Sequence, residues 1–359
     1  MEKVKFSKKL LVCLLAGLLS GAVLRRLLSL SADGWMPMIV IWALALLLVF
    51  GCLEYAFIWH RRERKGKGNS LVTLSFLHGL LLYTLAYDFS AFGWHKIFHL
   101  QMVVPLGVLD LPFGSLDSET LTWAYFRRSY PFTVAIAVSQ ISSAYLLLFA
   151  RTRLLGLIIM VPVLLNIILI DIFYQLHPGV LAHALILFAC VIYLLMQSYT
   201  SLVNFFFKTI HLVSLPDTTK YTKQWLRAAV VLIPLALLAV HRFPDRHPQF
   251  TGKYTVSDLK VNGKPVAAQS VKDSVLTTVY MDLQDDLVLE FNHYKSRYIG
   301  TYHFNKATDS INVNWRFPRD FKAGFAGTFL PAGKPGSYHF SGTLQEDKIE
   351  MNLNKVPEP

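Results

Sequence analysis

The chain has 359 residues, 53% of them hydrophobic and 16% charged, where soluble domains carry roughly 25% charged residues. That balance excludes an ordinary soluble enzyme. Uncharged apolar runs of roughly 20 residues mark a polytopic α-helical membrane protein, with room left for one soluble domain. The net charge of +12 is uneven: residues 1–245 hold 21 Lys/Arg against 11 Asp/Glu, and residues 246–359 hold 14 against 12. Topology and anionic headgroups explain the excess in the membrane half, so membrane lipids are the expected partners. The nearly neutral tail has no basic face interleaved with aromatics, which argues against nucleic acid.

In chain order, seven spans are predicted, at 9–30, 37–59, 70–97, 131–150, 154–176, 180–200 and 224–241. The first reads as a retained anchor rather than a signal peptide, because Arg25 and Arg26 follow the apolar run at once. With the N-terminus inside, the inside segments hold fifteen Lys/Arg. These include the run Arg61, Arg62, Arg64, Lys65 and Lys67, and later Lys208, Lys220, Lys223 and Arg227. The short outside loops hold Arg25, Arg26, Lys96, Arg127 and Arg128, with Arg242 at the last exit. This asymmetry predicts an odd number of spans, a cytoplasmic N-terminus and a periplasmic C-terminal domain in a bacterial inner membrane.

Residues 98–130 are broken by Pro105, Pro112 and Gly114, and Asp110, Asp117 and Glu119 make them polar. Within them, Leu121–Phe126 reads as a short amphipathic helix at the interface, where Trp and Tyr are favoured. From about residue 248 the apolar period becomes that of strands: 251–259, 274–283, 287–294, 298–304, 310–317, 336–343 and 348–353. Asn262-Gly263 is a hairpin signal, and Asp285-Asp286 and Glu346-Asp347 read as turns. Seven to nine short strands imply a small antiparallel β-sandwich or barrel filled by its many aromatics. The expected divisions are 1–69, two helices and a basic loop; 70–205, a membrane core; 206–245, a linker and last span; and 246–359, the β-domain. Cys13, Cys52 and Cys190 all fall in spans and form no CxxC, which reads as packing rather than thiol chemistry.

The stretch Tyr87–Gln101 (YDFSAFGWHKIFHLQ) resembles the small-Gly-x-x-Lys-aromatic-x-x-Gln segment of DoxX-like membrane proteins. Leu121-Thr122-Trp123 with Ser129-Tyr130 is similar to that family's entry to its next helix, and Leu146–Gly156 to its LLLxxRRTxxLGA turn. Asn166, Asp171 and Tyr174 resemble its LNxxxLNxxYD helix. The resemblance covers roughly 75–205. It implies a four-helix core of the thiosulfate:quinone oxidoreductase small-subunit type, with a β-domain after the last span in one bacterial subgroup. Gln140 stands where the family commonly has Glu and Asp171 where it has Asn, and 175–179 (QLHPG) replaces its DxPxK. An activity resting on that acid and lysine therefore does not transfer. More distantly, the lysine of the third span resembles that of the vitamin K-dependent carboxylase superfamily.

Ionisable groups within a span are costly and tend to face a cavity or partner. Asp88, His95 and His99 are spaced seven and four residues apart, within about 20° on one helical face, with Lys96 one position away. Such a set can bind a polar headgroup or act as acid and base, or its basic members can simply snorkel to the interface. His95 and His99 also have a metal-ligand spacing, but Asp88 lies too far along the axis to complete a site, so no metal is expected. Asn166 and Asp171 are about 140° apart on their helix, whereas Asp171, Tyr174 and Gln175 share a face. In family terms these three, with Gln140 and Ser143, converge on the core; the plainer reading is hydrogen bonding that holds the bundle together. Glu54 is expected to pair with His78 or the basic loop.

Two functions follow as expectations. In the first, a redox-associated subunit holds a quinone- or lipid-like ligand near the outer leaflet, contacted by Asp88, Lys96 and Gln101. Gln140 and Asp171 support the bundle, and His95, Asn166 and Tyr174 complete the candidate ligand set. In the second, a non-catalytic envelope factor docks a periplasmic or membrane protein partner through its β-domain. A weaker third reading is a carboxylase-like enzyme using Lys96 as base.

Overall fold

The computed structural model describes residues 4–31, 35–67, 69–109, 111–208, 219–238, 245–270, 273–293, 296–318 and 324–357. The chain divides into two compact units, Met1–Ser214 and Leu215–Pro359.

The first unit is helical. Its long helices are α1 (Phe6–Ser31), α2 (Met38–Arg64) and α3 (Ser70–Ile97). After them come a short α4 (Leu106–Leu109), α5 (Ser118–Arg128), α6 (Tyr130–Leu148), α7 (Arg153–Phe173), α8 (Pro178–Met196) and α9 (Tyr199–Val203). Six of these, α1, α2, α3, α6, α7 and α8, are long and apolar enough to cross a membrane. Helix starts follow local chemistry. The Asn69 side chain accepts hydrogen bonds from Leu71 and Val72 N–H at the start of α3, Asp117 does the same for Thr120 at α5, and Pro178 opens α8. The amphipathic helix expected over Leu121–Phe126 is the centre of α5.

Helix α3 packs on α6, α6 on α7 and α7 on α8, while α1 lies against α2, α3 and α8. The first helix is therefore part of the bundle core. Val12, Cys13, Ala16 and Leu19 on α1 are fully buried, in one cluster with Leu81, Leu85 and Phe89 of α3 and Cys190 and Val191 of α8. Gly17 and Gly21 let α1 approach α2 closely, since a Cβ on Gly21 would lie 2.9 Å from the Ala45 carbonyl oxygen. The three cysteines are free and serve as packing residues.

The second unit begins with α10 (Lys220–Leu237). It occupies the place of the seventh predicted span, but it falls short of the length and apolarity of the other six. Its first two turns carry Lys220 and Arg227, leaving a short apolar stretch from Ala228 to Leu238. Residues 239–241 of that predicted span, residues 209–218 of the linker, Asp110, Arg242, Tyr294 and the Lys223 side chain lie outside what is described.

The β-domain is a barrel, which settles the choice left open between barrel and sandwich. Strands β1 (Gly252–Val261), β2 (Lys264–Pro265), β3 (Leu276–Asp282), β4 (Asp286–Phe291), β5 (Arg297–Asn305), β6 (Ser310–Phe317), β7 (Phe325–Pro331), β8 (Ser337–Leu344) and β9 (Asp347–Lys355) follow one another. Each long strand pairs antiparallel with the next, and β9 returns to β1, so eight strands close while β2 is a spur on β1. Asn262 and Gly263, both with positive φ, make the tight β1–β2 turn. Strand β7 escaped the sequence reading, because Gly327 and Pro331 interrupt its pattern and its outer face is half-exposed. Gly327 faces Gly342 across the β7–β8 pair, and the Phe340 ring covers both; a Cβ at Gly342 would meet the Ala326 carbonyl oxygen.

Alternate residues point inward, among them Val279 and Met281, Leu287 and Leu289, Ile311 and Val313, Phe325 and Phe329, and Met351 and Leu353. Tyr254, Tyr302 and Phe340 fill the middle. Residues 247–250 stopper one end. Phe250 is buried there, the Tyr254 hydroxyl donates to its carbonyl oxygen at 2.6 Å, and the Tyr338 hydroxyl donates to the Gln249 carbonyl at 2.9 Å. Arg246 pairs with the buried Asp285 at 2.7 Å at the same end.

Candidate functional site

Helix α3 carries most of the expected site, and the structure supplies partners that spacing does not reveal. Asp88 is fully buried. Its Oδ2 lies 2.6 Å from Nε2 of His183 on α8, and its Oδ1 lies 2.9 Å from Nη1 of Arg26 on α1. These last two atoms are close without the alignment of a hydrogen bond. The Phe92 ring sits one turn along α3, under the Arg26 guanidinium at 4.1 Å and edge-on to His183. Three helices thus converge on one carboxylate, flanked by an arginine and an imidazole. The 2.6 Å contact lets Asp88 and His183 hold or pass a proton between them.

Lys96 is buried one further turn along. Its ammonium donates to the Phe92 carbonyl oxygen at 3.4 Å and to Gln101 Oε1 at 3.1 Å. Lys96 and Gln101, two members of the candidate ligand set, therefore come together. Among the described residues no carboxylate pairs with Lys96, whereas Asp88 is paired with Arg26 and His183.

His95 is half-buried and borders a surface groove of about 700 Å³ between α3 and α6. Tyr83, Tyr87, Ser90 and Trp94 of α3 and Tyr145 of α6 line this groove. On the α3 wheel His95 stands within about 20° of Asp88. It therefore connects the aromatic groove with the charged side of the helix.

Several expectations are corrected. His99 does not share the Asp88 face: α3 ends at Ile97, His99 has φ 56°, and its ring stacks on Tyr130 at 4.5 Å. The helical spacing of a His95–His99 metal pair is therefore lost, and among the described residues no cluster of three or more His, Cys, Asp or Glu could hold a metal. Arg25 and Arg26 are not loop residues, since α1 runs to Ser31. Asn166 is exposed on α7, away from the core. The face expected for Asp171, Tyr174 and Gln175 is broken, because α7 stops at Phe173 and Gln175 has φ 53°. Asp171 is buried there with Oδ2 lacking a hydrogen bond, while Tyr174 is exposed. Gln140 is buried on α6, also with an unsatisfied Oε1, and the neighbouring Ser143 hydroxyl donates to the Gln140 carbonyl.

Glu54 is exposed on α2, and His78 instead meets the Tyr193 hydroxyl at 3.0 Å. The paired carboxylate of α2 is Glu63. It accepts from the fully buried Lys9 at 2.6 Å, from Val4 N–H at 3.2 Å and from the Ser70 hydroxyl. Trp59 donates its indole N–H to Ser70 and lies beneath the Lys9 ammonium.

No family model matches the chain, and no solved structure matches it. Among curated proteins, the uncharacterized protein YwoB of Bacillus subtilis (strain 168) is 31% identical over 87 residues, which are 24% of this chain and 55% of that protein. The chain thus spans about half the length of the curated relative it matches.

Proposed function

We propose that this chain is a DoxX-like inner-membrane protein that holds a quinone- or lipid-like ligand near the outer leaflet. The apolar part of the ligand occupies the α3–α6 groove, and its polar head reaches past His95 toward Asp88 and Arg26. The observation that carries this reading is the place of His95, on the rim of an aromatic groove and on the Asp88 side of the same helix. A pocket that is mostly apolar with a few convergent polar groups is what an amphipathic ligand requires. The Lys/Arg count supports this orientation, which requires α10, shorter and less apolar than the other six helices, to cross as a seventh span with the barrel outside.

The test is mass spectrometry of small molecules that co-purify with the extracted protein, together with its ultraviolet–visible spectrum. A stoichiometric quinone or lipid is expected in the parent protein and is expected to be lost in Asp88→Asn and His95→Ala variants that remain folded. Ligand content unchanged in both variants would defeat the assignment. A bundle holding only bulk lipid would transfer the function to the barrel, as an envelope factor docking a protein partner.

A further inference from the structure

We propose that the ligand of the α3–α6 groove is an anionic amphiphile, one apolar chain bearing a carboxylate or phosphate head that Arg26 and Lys96 hold. This rests on the ligand reading above and names its head group, for which a quinone is the wrong chemistry. Charge around Phe92 carries the assignment. The Arg26 guanidinium lies 4.1 Å and the Lys96 ammonium 5.7 Å from the centre of that ring. Both are largely out of water: Lys96 is 6% exposed and the Arg26 side chain 14%. The carboxylate beside them is Asp88, shared between Arg26 at 2.9 Å and His183 at 2.6 Å. Lys96 meets neutral oxygens, the Phe92 carbonyl and Gln101 Oε1.

None of the other described carboxylates of the helical unit pairs with either cation. Glu63 is paired with Lys9, Asp117 caps α5, Glu119 accepts from the Trp123 indole, and Glu54 is exposed on α2. Asp171 is buried on α7 without an ion pair among the described residues. Arg25, over the Trp42 ring, is one more cation at this end of α1. The described charges around Phe92 are thus two cations against one anion, and any proton on His95 or His183 adds to the positive side. A buried charge without a counterion is costly, and within a transmembrane bundle it marks a ligand or partner. A head group with one negative charge brings the count to zero. Its oxygens find donors in place: Lys96 has a third N–H beyond its two acceptors, and Arg26 Nη1 is buried without a hydrogen bond. A quinone carbonyl can accept a hydrogen bond but leaves the excess charge as it was. The link to the groove is His95, which borders it and has Arg26, Lys96 and Asp88 as charged neighbours.

The test uses the full chain in uncharged maltoside micelles and photoprobes sharing one saturated chain with a diazirine near its end. They differ only in the head: phosphate, carboxylate or hydroxyl. Label on peptides containing Tyr87, Trp94 or Tyr145 is quantified by mass spectrometry against the mole fraction of probe in the micelle. Half-maximal groove labelling is expected at about tenfold lower mole fraction for the better anionic probe than for the alcohol, the worth of one charge-assisted hydrogen bond. Lys96→Met is expected to erase that preference and Lys96→Arg to keep it; Lys96→Gln takes the place of the Met variant if that fails to fold. Equal labelling by the anionic and alcohol probes in the parent protein would overturn the anionic head, with the groove reading left standing. A preference for the anion that survives in a folded Met or Gln variant would overturn it too. Absence of groove label from every probe would overturn the groove reading and this inference together.

Discussion

Two charged clusters of the helical unit, around Glu63 and around Asp88, are built to different specifications. At one, Glu63 accepts from Lys9, Ser70 and the Val4 backbone, so both carboxylate oxygens are satisfied and the tip of α1 is tied to the α2–α3 junction. At the other, Asp88 is complete on its His183 side only. Arg26 Nη1 and Asp88 Oδ1 face each other without a hydrogen bond, and the groove opens beyond His95. A fully connected polar network rigidifies a fold, whereas one with open valences beside a cavity is equipped to meet something else.

The largest expected effect is that of Asp88→Ala. It strands the Arg26 guanidinium, and removing one partner of a buried ion pair costs about 3–5 kcal/mol. Thermal unfolding of the purified protein would show it, and loss of bound ligand should accompany it. A smaller loss of about 2 kcal/mol is expected for Lys9→Met, because Glu63 is partly exposed and retains two other donors. Here the contrast between the clusters is exposed to failure: the Lys9 variant should keep its full complement of co-purifying small molecules. If it loses them as Asp88→Asn does, the two clusters are not functionally distinct. Tyr193→Phe should cost least, about 1 kcal/mol for its hydrogen bond to His78, again with ligand content unchanged.

Much of this architecture is legible in the sequence. The predicted third span, 70–97, coincides with α3, and Asp88 stands out as a carboxylate inside an apolar run. The partners do not stand out, because Arg26 and His183 reach Asp88 from 62 and 95 residues away, and no local period encodes such pairings. Arg26 misleads further, since an arginine just past an apolar run looks like a topology signal until the helix is seen to continue to Ser31. Helix ends at Ile97 and Phe173 are equally hard to read. Neither is followed at once by Gly or Pro, and the chain turns there through His99 and Gln175 in positive-φ conformations. In the barrel, alternation found most strands but missed β7, where glycine packing against Gly342 replaces the usual branched side chains.

That one helix supplies the countercharge to both carboxylates bears on how the protein is made. The ribosome delivers α1 before α2 or α3, so Lys9 and Arg26 are already in place when Glu63 and then Asp88 leave the tunnel. If the helices insert in order, Asp88 need not enter the bilayer unaccompanied, a step that would cost several kcal/mol for a lone charge. The first helix is thereby expected to aid insertion of the third, so that supplying it late or on a separate polypeptide should lower the yield of folded protein.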